Sequence, residues 1–103
     1  MRDIKFRRWH IELEDMVYST NIELFEIVEK YPQMYNVMQY TGLKDKNGKE
    51  IFEGDIITDE SNNYLVIFLE GCFTMEIDDN YFILSNFSGT EVIGNIHQNK
   101  DLL

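Results

Sequence analysis

Four carboxylates stand in two close pairs, Glu53 with Asp55 and Asp78 with Asp79. Paired carboxylates are what metal-dependent nucleases and glycosidases use, either to hold a divalent cation over a scissile bond or to share acid and base roles. A hydrolase built on these four residues would bind such a cation tightly. Both pairs also sit where the chain should turn. Asn80 follows Asp78-Asp79, and Gly54 separates Glu53 from Asp55. Aspartate is favoured in turns for hydrogen bonding to its own backbone, so the turn reading is the simpler one.

The run Asp45-Lys46-Asn47-Gly48, with Glu53 beyond it, offers oxygen ligands for calcium. A calcium loop needs ligands at alternate positions between two helices, and Lys44, Lys46 and Lys49 place positive charge where the cation would sit. Asn-Gly is instead the strongest short hairpin signal, because both residues tolerate positive φ. Gly42, Gly48 and Gly54 are evenly spaced, but strands rather than a helix should follow them, which a phosphate cradle does not permit.

His10, Cys72 and His97 could supply zinc ligands, yet no two of them are local in sequence. Cys72 is the sole cysteine, flanked by Gly71 and Phe73. That context predicts a buried, inert thiol in a strand. Lys5-Phe6-Arg7-Arg8-Trp9-His10 combines cations with aromatics, the ingredients of a nucleic-acid contact. The alternative is that Trp9 packs and that Arg7 or Arg8 pairs with an acidic residue. No catalytic, cofactor-binding or metal-binding residue is assigned, and no cofactor is expected.

The charge balance decides against direct nucleic-acid binding. The 103 residues carry a formal charge of −10. Residues 51–103 hold ten acids against Lys100, while the first ten residues are net basic. Affinity for nucleic acid comes chiefly from neutralising phosphates, which this surface would repel. The same charge suits contact with a basic protein, or imitation of a polyanion that blocks a host DNA-processing protein. One cysteine and no disulfide framework fit a reducing cytoplasm. The longest purely apolar run, Leu65 to Leu69, is far too short to span a bilayer, so no membrane role is expected.

These residues need elements to position them. Alternation over residues 4–9 and the apolar group Met16, Val17 and Tyr18, separated by a polar break at 12–15, predict an opening β-hairpin. Thr20 and Glu23 have capping-box spacing. Leu24, Ile27, Val28 and Tyr31 then recur at helical spacing until Pro32, which predicts one helix over 20–31, about three turns long. From residue 37 onward five or six short strands alternate with turns at 45–48, Gly54, 61–63, Gly71, 79–80 and 88–89. That punctuation predicts a small closed or nearly closed barrel. Tyr35, Tyr40, Tyr64, Tyr81, Phe52, Phe68, Phe73, Phe82 and Phe87 should be core, or interface if they gather at one edge. The fold class expected is mainly β with one α-helix.

Three blocks, MRDIKFRRW at the start, VMQYTGLKDKNGKEIFEGDII in the middle and EVIGNIHQNKDLL at the end, resemble the YopX protein family. The resemblance implies a small phage- or prophage-encoded cytoplasmic protein. It implies a single domain over 1–103, with a hairpin-helix lobe at 1–36 packed on an SH3-like barrel lobe at 37–103. It carries no settled activity, cofactor or catalytic residue. The expected function is therefore that of a non-enzymatic accessory protein acting through protein–protein contact, with itself as a homo-oligomer or with a host or phage protein.

Overall fold

The computed structural model describes residues 4–19, 23–84 and 89–103. The fold is mainly β with a single α-helix among the described residues, as the residue patterning predicts. Among the described residues nine strands run in chain order: β1 Phe6–His10, β2 Asp15–Ser19, then helix α1 Glu23–Lys30, β3 Tyr35–Lys44, β4 Glu50–Phe52, β5 Asp55–Thr58, β6 Asn63–Leu69, β7 Cys72–Ile77, β8 Asn80–Ile83 and β9 Glu91–Asn95. Short 3-10 turns cover Pro32–Met34 and Lys100–Leu102. The chain divides into two compact units, Met1–Tyr40 and Thr41–Leu103.

In the first unit β1 is central and antiparallel to both neighbours, pairing His10 with Asp15 of β2 and with Tyr35 of β3. Period-two alternation puts Arg7 and Trp9 on one face, and both are buried together with Met38 and Tyr40. Helix α1 is amphipathic: Ile27 and Val28 are half-buried, whereas Glu26, Glu29 and Lys30 are exposed. The described helix is eight residues long. It stops one residue before Tyr31, which is 42% exposed rather than packed. Pro32 occupies the first turn of the following 3-10 segment, because a proline disfavours helix at the preceding residue. The expected Thr20–Glu23 capping box, Phe87 and Ser88 lie outside the described residues.

In the second unit five antiparallel strands form a curled sheet in the order β8-β7-β6-β5-β9, the half-barrel form of the small barrel expected. A register shift between Ile56 and Ile57 bends β5 against β9. The core on its inner face is Ile51, Ile57, Tyr64, Val66, Met75 and Leu84, with Phe73, Ile77 and Val92 packed against it. Val66 and Met75 are fully buried, each contributing about 1.5–3 kcal/mol by removal from water.

Candidate functional site

Two of the turn carboxylates, Asp45 and Asp55, are used by the backbone. Asp45 is buried; its Oδ1 accepts the amides of Asn47 at 2.9 Å and Lys49 at 2.8 Å, and its Oδ2 accepts the Val92 amide at 2.9 Å. Burial alone would raise its pKa, but the Val92, Lys49 and Asn47 amides outweigh it and hold the carboxyl below its ordinary range. The oxygens that would face calcium therefore face N–H groups. Asn47 keeps a negative φ, and only Gly48 takes a positive one, +82°. The turn is thus four residues closed by the Gly48 amide on the Asp45 carbonyl at 3.0 Å, not a two-residue Asn-Gly turn with both φ positive.

Asp55 is likewise buried, with Oδ2 accepting the Phe52 amide at 2.8 Å across the glycine turn. Gly54 at the centre of that turn has φ +88°, and its amide donates to the Val66 carbonyl at 2.8 Å. Asp78 and Asp79 form the two-residue turn between β7 and β8, with φ of +48° and +64°. With Glu76 they line an open pocket of about 220 Å³ together with Asn63, Leu65, Ile77 and Leu103. Neither Glu53 nor Asp55 lines it. Among the described residues no three His, Cys, Asp or Glu side chains gather as a metal site.

The two histidines have local roles. His10 Nδ1 accepts the Leu13 amide at 3.0 Å, closing the β1–β2 turn, and its ring edge meets Tyr35 at 4.9 Å. His97 follows β9 in a turn held by Asn95 Oδ1, which accepts the amides of His97 and Gln98, both at 3.0 Å. Cys72 is exposed, contrary to the expectation of a buried thiol. It is the first residue of β7 beside a positive-φ glycine turn, and its side chain lies on the face opposite Phe73 and the core.

The basic amino-terminal cluster meets aromatic rings. Lys5 Nζ lies 5.5 Å from the Tyr40 ring centre, and the guanidinium carbons of Arg7 and Arg8 lie 5.9 Å from Tyr18 and 4.9 Å from Tyr35. Arg7 is only 2% exposed. Cations held over rings in this way, one of them buried, are not an open phosphate-binding surface. Trp9 is buried, as its packing role requires.

What the second unit presents instead is β8. It stands at the end of its sheet and all four of its residues are exposed. Tyr81 and Ile83, 51% and 64% exposed, share one face, and Phe82, 47% exposed, points to the other. Phe82 meets Tyr64 edge-on at 6.2 Å, and the exposed Phe68 meets Phe73 at 5.0 Å. Leu69 and Cys72, paired across β6 and β7, extend the exposed ground. Within the apolar run Leu65 to Leu69 the structure buries Val66 and exposes Phe68 and Leu69, because the strand outruns the core.

Comparison with known proteins joins these observations. The YopX protein family model matches residues 23–103. The chain belongs to the YopX family. It is similar to the crystal structure of protein EF1440 from Enterococcus faecalis, with TM-score 0.73 and 28% identity, covering 100% of this chain and 99% of that one. It also shares the fold of protein yopX from Bacillus subtilis, with TM-score 0.57 and 19% identity, covering 96% and 97% of the two chains. No curated protein matches. No enzyme family is among these matches. No described helix is long and apolar enough to cross a membrane.

Proposed function

We propose that this YopX-family chain is a non-enzymatic phage or prophage accessory protein that works in the cytoplasm through protein–protein contact. The observation that carries the reading is β8, the last strand of its sheet, which no other described strand covers and which exposes Tyr81, Phe82 and Ile83. Soluble proteins normally blunt such edges with charge, proline or a covering element, because an open apolar edge recruits other chains. The partner is a host or phage protein, or a second copy. The engaged carboxylates of Asp45 and Asp55 support the non-enzymatic half, since their oxygens hold backbone amides.

The test is light scattering at micromolar concentration together with affinity capture from host lysate. Assembly above 12.3 kDa, or a captured protein released by changing β8, is expected. A clean monomer that captures nothing contradicts the reading.

A further inference from the structure

The two-residue Asp78-Asp79 turn makes Ile77 and Asn80 a hydrogen-bonded pair, and alternation then fixes the direction of every backbone group in β8. Asn80, Phe82 and Leu84 turn theirs toward β7; the Leu84 amide donates to the Phe73 carbonyl at 3.1 Å. Tyr81 and Ile83 turn their amides and carbonyls outward, where no partner stands among the described residues. A strand with an open ladder and apolar side chains on both faces is matched by another strand laid beside it.

Charge selects what that strand is. Of the acids that line the pocket, Asp78 and Asp79 form the turn from which β8 starts, and Glu76 is the cross-strand partner of Tyr81 on the same face. A second copy would bring another −10 with it. Pairing two β8 edges would set the acidic turns within about 13 Å of each other, the length of a four-residue strand. At low salt that repulsion is incompletely screened.

Resting on the protein-contact reading above, we propose that β8 receives an extended segment of a basic partner protein as a sixth strand. The segment's apolar residues cover Tyr81, Phe82 and Ile83. A Lys or Arg at one end seats in the pocket that Glu76, Asp78 and Asp79 line. The backbone ladder supplies affinity, and the pocket supplies register and sign of charge.

A yeast-display library of random segments of about ten residues, selected on the full chain, tests this. Selected segments are synthesised and titrated, and light scattering is run on the same protein. The expected winners alternate apolar residues and carry Lys or Arg at one end. Ile83→Pro removes an outward donor and an edge side chain but no donor facing β7, so it keeps the β7–β8 ladder yet weakens binding at least about tenfold. Tyr81→Lys, which charges the edge without proline, does the same. Asp78→Asn with Asp79→Asn weakens binding about fivefold and flattens its salt dependence. Neutral or acidic winners, or winners that bind folded Ile83→Pro and Tyr81→Lys as well as the parent, overturn the proposal. So does a dimer that Ile83→Pro returns to monomer, though the protein-contact function would then stand. A monomer with no winners at all overturns both.

Discussion

The carboxylate of Asp45 accepts the backbone amide of Val92 at 2.9 Å, tying the β3–β4 turn to strand β9 across 47 residues of sequence. Two further amides, of Asn47 and Lys49, converge on the same side chain. Asp45→Ala leaves three N–H groups without their acceptor and should lower stability by about 3 kcal/mol, read from urea unfolding at neutral pH. Asp45→Asn should lose less, because one carbonyl oxygen survives.

The same contact sets an acid limb. The folded pKa of Asp45 is depressed below its ordinary 3.8, so its contribution is present above that value and is lost as pH falls through the folded pKa. Asp59, held down first by the Asn62 amide and then by the Tyr64 hydroxyl, acts in the same direction. Melting temperature should therefore fall below about pH 4 in the parent and fall less in Asp45→Asn. Equal acid slopes would remove Asp45 as the cause.

Two glycines should respond for different reasons. Gly48 has φ +82° with nothing within 4 Å of a Cβ, so Gly48→Val meets only backbone strain and should cost about 1–2 kcal/mol. Gly48→Asn should cost less, since asparagine tolerates that region. At Gly94 a Cβ would stand 2.5 Å from Asn99 Oδ1, the atom that accepts the Asn95 amide at 3.1 Å. Gly94→Ala must displace that carboxamide and should cost about 1–3 kcal/mol. Asn99→Ala in the same background should recover part of the loss.

Exposure of Cys72 predicts ready labelling. A thiol-reactive disulfide reagent should modify the native protein at a rate within about threefold of the urea-unfolded chain. Protection of the native thiol by several orders of magnitude would restore the buried position that its neighbours suggested.

The sequence made the mainly β fold, the opening hairpin and most turns legible, because glycine, Asn-Gly and Asp-rich breaks punctuate each strand. Gly48, Gly54 and Gly71 take positive φ where strands end, whereas Gly42 takes it inside β3. What sequence could not show is which apolar residues lack a cover. Val66 and Phe68 sit two apart in one strand and look alike, yet one is fully buried and the other half exposed. That difference depends on where the neighbouring strands end. The burial of Arg7 was missed for a related reason: its alternation with Trp9 was visible, but the Tyr18 ring beside it comes from the neighbouring strand. Asp45 was read as a turn residue and a poor calcium ligand, and only the tertiary partner Val92 reveals its structural role.

The most direct measurement of the central claim is residue-resolved amide hydrogen exchange across β8, in the free chain and in its assembly. In the free chain Tyr81 and Ile83 should exchange rapidly while Phe82 and Leu84 are protected by β7. In the assembly Tyr81 and Ile83 should become protected as well. If the assembly protects some other surface and leaves those two amides exchanging as before, β8 is not the contact and the account is contradicted.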